Sequence, residues 1–309
     1  MIRRNEKVNI KRVIRAVEYR IVRLIAPICT HISPMLNTCL WYRYIFGRRL
    51  NFGNPQTLNE KILWLKFNNY RGNPLVKQCA DKYLVRDYIK KVGCEEILNE
   101  LICIYESVAE IEWEKLPQSF VMKLNVGCGC NIIVPDKDKI NINDAKTKLR
   151  KWMKEKYYLR YSEMQYKDVK PVILVEKYLK PKAGGVLPED YKFYCINGRA
   201  EYVMVCVGRE ENGHPRFYFF DRNWNFVPFE EQNDPGFQKP MMIEKAFEYA
   251  DALAKPFPCV RTDLYLFDNL VIFGELTFTS AGGFDADITE EAQMTMGRMI
   301  DLGYNSSRV

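Results

Sequence analysis

Arg261-Thr262-Asp263 and Glu275-Leu276-Thr277 stand in two apolar segments separated by Asp268-Asn269-Leu270. A hairpin about that turn pairs the segments, and strand alternation then puts Arg261, Asp263, Glu275 and Thr277 on compatible faces. Two carboxylates and a hydroxyl converging there are hard oxygen ligands. Such a set suits Mg²⁺, which keeps several waters and bridges substrate phosphates. Arg261 beside them would neutralise a transferring phosphoryl group. The same spacing also fits a surface hairpin with an Arg-Asp pair.

A second set lies upstream. Lys123 ends an apolar run and leads into Asn125-Val126-Gly127-Cys128-Gly129-Cys130-Asn131. Glycines such as Gly127 and Gly129 let backbone N–H groups approach an anion closely, and a lysine just before them supplies a point charge for phosphate. The pattern is neither G-x-x-x-x-G-K nor a strand-to-helix G-x-G-x-x-G, and a hairpin with two glycines fits it equally well. Glu176-Lys177-Tyr178-Leu179 closes another apolar run, where the backbone is free to meet a purine edge and a carboxylate to meet ribose hydroxyls. Asp190-Tyr191-Lys192 opens the next run. Either segment is also an ordinary strand end, and Lys192 also fits a solvated surface lysine.

The elements that must position these residues can be read from periodicity. Ser119–Leu124, Ile132–Val134, Val172–Glu176, Lys192–Ile196, Glu201–Val207 and Arg216–Phe220 have strand character, and Cys259–Phe267 with Val271–Leu276 forms the last hairpin. Asn51–Pro55 is a turn cluster. Thr57 and Glu60 form a capping box for a helix through Leu58, Ile62, Leu63 and Leu65. The spacing predicts one further helix over Leu75–Val92 ending at Gly93, and others over 144–157 and 241–254. Ile10, Val13, Ile14, Val17, Ile21, Leu24 and Ile25 recur at helical spacing among Lys11, Arg12, Arg15 and Arg20. This basic amphipathic helix either packs on its own protein or lies against anionic lipid through residues 7–26.

Composition narrows the classes. The chain has 309 residues, enough for two domains, and 47% hydrophobic with 28% charged residues is globular usage. Its only two histidines, His31 and His214, exclude a His-rich zinc site and leave little room for a Ser-His-Asp triad. Ten cysteines without paired C-x-x-C spacing fit reduced thiols in a cytoplasmic setting. Residues 1–50 carry eleven Lys and Arg against two Glu, a net of +9, which leaves −2 for the rest. Nucleic acid is therefore not the expected partner of the body of the chain. No 18-residue uncharged apolar run is present, and the Ile21–Ile28 stretch makes a poor signal peptide.

In order, these motifs resemble the TupA-like ATP-grasp family of bacterial surface-polysaccharide gene clusters. The resemblance runs from about Phe52 to Phe284. It rests on LNEKILWLK (58–66), DKYLVRDYI (81–89), LPQSFVMKLNVGCGCNIIV (116–134), KPVILVEKYL (170–179), DYKFYCING (190–198), FPCVRTDLY (257–265) and FGELTFTSAGGF (273–284). It implies an α+β fold whose two lobes of antiparallel sheet and flanking helices grip ATP. The corresponding divisions are a basic helical segment (1–50), an N-terminal lobe (51–119), a small ATP-grasp lobe (120–182) and a C-terminal lobe with the metal site (183–309).

The resemblance also implies roles. Lys123 and Lys192 would contact phosphates, with Gly127 and Gly129 in the phosphate loop and Lys82 opening a helix nearby. Glu176, Lys177 and Leu179 would line the adenine hinge, and Asp190 would reach the ribose. Asp263, Glu275 and Thr277 would hold Mg²⁺, Thr277 standing where many ATP-grasp enzymes carry Asn, and Arg261 and Lys192 would face the reacting phosphoryl group. Relatives' loops read more like N-H-G-S-G-G-N, so a hydroxyl and a glycine are lost at Cys128 and Cys130. The implied activity is ATP-dependent carboxylate-amine ligation through an acyl phosphate, acting on a sugar acid or amino acid in capsular or teichuronopeptide-like polysaccharide synthesis. The expected place is the cytoplasm, peripheral on the inner face of the membrane. A glycosyltransferase and a non-catalytic nucleotide-binding partner are the alternatives.

Overall fold

Residues 2–46 form two helices divided by a cap. In the computed structural model, which describes residues 2–181, 186–208 and 215–304 and side chains from residue 14 onward, α1 spans Ile2–Ile32. His214, the 182/183 boundary and the side chains of Lys7, Ile10, Lys11, Arg12 and Val13 lie outside the described residues. Ser33 then caps α2 (Pro34–Phe46), its hydroxyl accepting from the Leu36 N–H, with Pro34 in the first turn where no N–H is needed. The Thr57–Glu60 capping box starts α3 (Leu58–Leu65) as its spacing predicts.

The single helix expected over Leu75–Val92 is instead two, α4 (Pro74–Ala80) and α5 (Val85–Lys91). Asp81 interrupts them with extended backbone, φ −84° and ψ 119°. Apolar spacing continues across the break because both helices bury one face on the same core, with Val76, Cys79, Val85 and Ile89 all buried.

Next come β1 (Leu101–Tyr105), β2 (Phe120–Leu124), β3 (Asn131–Val134), α6 (Ile142–Lys154), α7 (Tyr158–Tyr161) and β4 (Ile173–Lys177). The four strands form one antiparallel sheet ordered β1-β4-β2-β3. Its inward residues Phe120, Met122, Leu124, Ile173 and Val175 pack with Ala145 and Leu149 of α6. β1 precedes residue 119 and pairs with β4 within this sheet, a strand that sequence periodicity does not mark.

The remaining chain builds β5 (Asp190–Ile196), β6 (Arg199–Val207), β7 (Arg216–Asp221), β8 (Phe226–Val227), α8 (Ile243–Ala254), β9 (Cys259–Leu266), β10 (Val271–Thr277) and α9 (Glu290–Met299). The second sheet is antiparallel in the order β10-β9-β5-β6-β7-β8. α8 covers it: Phe247 meets Phe193 edge-on at 4.9 Å, and Ala246, Ala250 and Leu253 are fully buried. Burying Phe193, Phe247 or Leu253 stabilises the fold by roughly 1.5–3 kcal/mol each. The result is the α+β architecture of two antiparallel sheets with flanking helices, preceded by the N-terminal helix.

Candidate active site

Lys82 stands in the break between α4 and α5. Asp81 accepts from the N–H groups of Tyr83 at 2.8 Å and Leu84 at 3.1 Å, and Asn125 donates to its other oxygen at 2.7 Å. The Lys82 N–H donates to the Asn125 carbonyl at 2.9 Å. Asn125 also accepts from the Val172 N–H at 2.9 Å, so one amide ties the break, the glycine loop and the start of β4 together. From this anchor the Lys82 ammonium reaches the Gly127 carbonyl at 2.5 Å and Glu275 Oε2 at 3.3 Å.

The loop after β2 turns on its two glycines. Gly127 and Gly129 have φ of +79° and +75°, and Leu124 N–H to Cys130 carbonyl closes the turn at 3.2 Å. A Cβ on Gly127 would meet the Tyr157 ring at 2.6 Å, whereas one on Gly129 meets nothing within 4 Å. Cys130 keeps an ordinary negative φ, so a side chain at that position costs the backbone nothing. Lys123, on β2, pairs with Glu176 of β4 at 2.8 Å. Arg86 at 3.6 Å and Asn99 at 3.5 Å hold the same buried carboxylate.

On the larger sheet Lys192, Asp263 and Glu275 are cross-strand partners on β5, β9 and β10. A bulge at Gly274 shifts the pairing by one residue after Phe273–Leu264 and so brings Glu275 opposite Asp263, and a Cβ on Gly274 would meet the Asp263 carbonyl at 2.9 Å. Lys192 donates to Asp190 at 2.5 Å and to Asp263 at 2.8 Å. Arg261 grips Asp263 with two bonds of 2.7 Å and donates to Ser280 at 3.2 Å and Thr277 at 3.4 Å. Thr277 in turn donates to Glu275 at 2.9 Å.

Charge is balanced within this network. Burial opposes ionisation of Asp263, but Arg261 and Lys192 overcome it and hold the carboxyl low, near about 2. Burial likewise opposes the charge on Lys192, and Asp263 and Asp190 raise its ammonium above the ordinary lysine value. Burial also works against Glu275, which Lys82, Arg261 and Lys192 nevertheless keep below its ordinary value.

Lys82, Lys123, Gly129, Asp190, Lys192, Asp263 and Glu275 all line one polar cleft between the two sheets. Lys177 and Leu179 line an adjoining, more apolar cavity with Val121 and Ile133, and the two spaces share Lys123, Asn131 and Tyr265. Glu176, Gly127, Arg261 and Thr277 line neither; they brace the residues that do. The linings differ: the adjoining space is mainly apolar, and the cleft is lined by three lysines and three carboxylates.

The donor set fits Mg²⁺ in a limited way. Asp263 and Glu275 supply hard oxygens, but three hydrogen bonds already engage Asp263 and the Thr277 hydroxyl lies between Arg261 and Glu275. No cluster of three or more His, Cys, Asp or Glu suited to a metal occurs among the described residues. An ion held here would take its other ligands from phosphate and water, which is how Mg²⁺ is usually bound.

Periodicity missed several of the residues that matter. Asn131 lies inside the glycine motif, and Tyr265 follows Arg-x-Asp by strand alternation. Arg86, Asn99 and the Asp81–Asn125 link carry no local signal, because each acts only once distant segments meet.

Among solved structures, D-alanine–D-alanine ligase from Bacillus anthracis complexed with ATP aligns at TM-score 0.43 and 17% identity, covering 75% of this chain and 67% of that one. The ADP complex of purK, N5-carboxyaminoimidazole ribonucleotide synthetase, aligns at 0.43 and 12%, covering 70% and 49%. The ATP-grasp ligase PsnB complexed with minimal precursor aligns at 0.40 and 10%, covering 78% and 66%. No curated protein matches. The family model described as TupA-like ATPgrasp matches residues 60–301, from the capped helix α3 past both sheets into the segment after α9. The chain therefore belongs to the TupA-like ATP-grasp family.

Proposed function

We propose that this protein is an ATP-dependent carboxylate-amine ligase that acts on a sugar acid or amino acid in cell-surface polysaccharide synthesis. The observation that carries the reading is the set of three lysines, Lys82, Lys123 and Lys192, lining one cleft together with Asp263 and Glu275. Cations for a polyphosphate and carboxylates for its divalent ion are there in one place, beside a cavity for a base. The γ-phosphoryl group passes from ATP to a carboxylate oxygen, releasing ADP. An amine then attacks the carbonyl carbon of the acyl phosphate, expelling phosphate and losing a proton. Mg²⁺ bound at Asp263 and Glu275 would screen the phosphate charges.

The chain's own contribution is positioning and charge. Lys82 and Lys123 are aimed by Glu275 and Glu176, and Arg261 is clamped to Asp263, so little reorganisation is needed as charge moves onto the bridging oxygens. The test is a mass-spectrometric screen of ATP and Mg²⁺ with sugar acids and amines, run beside Glu275→Gln. Amide product with ADP in the wild type, lost in the folded variant, supports the reading. Consumption of a sugar nucleotide instead would assign a glycosyltransferase, and nucleotide binding without turnover a partner protein.

A further inference from the structure

Helix α1 shows two opposite faces. Val22 and Ala26 pack inward with Trp41, Tyr42, Leu63 and Phe284. Thr30 fastens the same face to the chain around α7, donating to the Leu159 carbonyl at 3.0 Å. On the far side Ile14, Val17, Ile21, Leu24, Ile28 and Ile32 are 51, 48, 53, 76, 60 and 72% exposed. Spacings of three and four keep these six in one stripe along the helix. Single exposed apolar residues are ordinary, but a continuous stripe marks an interaction surface.

Charge selects the occupant. Arg15, Arg20 and Arg23 are exposed beside the stripe, and residues 1–25 hold eight Lys and Arg against Glu6 and Glu18. A second copy would bring two such basic segments together, whereas an anionic bilayer complements them. No described helix is long and apolar enough to cross a membrane. We propose that α1 lies in the interface of an anionic lipid bilayer, with the isoleucine-rich stripe at the acyl boundary and the arginines at the lipid phosphates. Trp41 and Asn37 of α2 both donate to the Arg160 carbonyl, at 2.8 and 3.1 Å, and nearby Tyr157 abuts Gly127. Docking thus fixes the glycine loop relative to the surface.

Flotation of the full chain with vesicles tests this. Wild type should float with phosphatidylcholine–phosphatidylglycerol vesicles, far less with phosphatidylcholine alone, and release as salt rises. The double variant Ile21→Glu, Leu24→Glu changes exposed positions only, so its thermal melt should match wild type while vesicle affinity falls at least about tenfold. Arg15→Gln, Arg20→Gln, Arg23→Gln together should cost on the order of a hundredfold at low salt. Equal flotation of wild type and both variants overturns the proposal. So does a lipid-free dimer by light scattering that the Ile21, Leu24 variant abolishes, since the stripe then belongs to a second copy.

Discussion

Lys192 and Asp263 face each other as registered partners on β5 and β9, Nζ to Oδ2 at 2.8 Å, while Arg261 holds the same carboxylate from its own strand. The lysine gives two of its three donors to Asp190 and Asp263. Removing a buried partner leaves the others uncompensated. Asp263→Asn is therefore expected to destabilise the fold by about 3 kcal/mol as well as to stop turnover. Urea unfolding reads this, and a loss within about 0.5 kcal/mol, the range of ordinary surface changes, would show that the network is not formed.

Lys123 and Cys128 separate charge from hydrogen bonding at the same loop. Lys123→Ala removes a full charge from a partly dehydrated cleft and should lower ATP turnover by a factor on the order of a hundred or more. Cys128→Ser replaces a weak donor with a better one and should preserve or raise turnover. ADP release measured for both decides it, and wild-type rates in Lys123→Ala would make the loop a structural hairpin.

The two loop glycines should respond unequally. Both need a left-handed backbone, costing a side chain about 1–2 kcal/mol, but only at Gly127 does a Cβ also strike Tyr157, at 2.6 Å. Gly127→Ala is expected to lower the melting temperature more than Gly129→Ala, by a margin that Tyr157→Ala narrows. Equal effects of the two glycine variants would remove the Tyr157 contact from the account.

Glu230 gives a pH signature away from the cleft. Burial, then the charges of Asp285 and Asp287, push its carboxyl up to about 7. A raised acid binds its proton more tightly when folded, so this group's contribution is present below the ordinary glutamate value and is lost as pH rises to about 7. Glu230→Gln should therefore flatten the fall in melting temperature between pH 5 and pH 8. An unchanged slope would contradict the assignment.

Much of this was legible because it is local. Alternation about Asp268–Leu270 put Asp263 opposite Glu275, and the structure pairs them with the bulge at Gly274 as the one irregularity. The helix break at Asp81 was not legible, since the apolar spacing of Leu75–Val92 runs through it and its cause, Asn125, lies 44 residues away. Glu176 carries a strand-end signal, but its protein partners do not show in the local sequence. The structure sets it beneath Lys123 with Arg86 and Asn99, partners that only the folded sheet brings near. In α1 the amphipathic pattern was plain, but which face would be covered depended on α2 and α7. It is the less apolar side that packs, leaving the isoleucine stripe outside.

Oxygen transfer from a labelled acid tests the central claim most directly. With an ¹⁸O-carboxylate acceptor found in the substrate screen, an acyl phosphate formed in the Lys123–Asp263–Glu275 cleft sends one labelled oxygen into the inorganic phosphate for each amide made, alongside ADP. Amide formation with unlabelled phosphate, or with the label in AMP, would contradict phosphoryl transfer to the carboxylate.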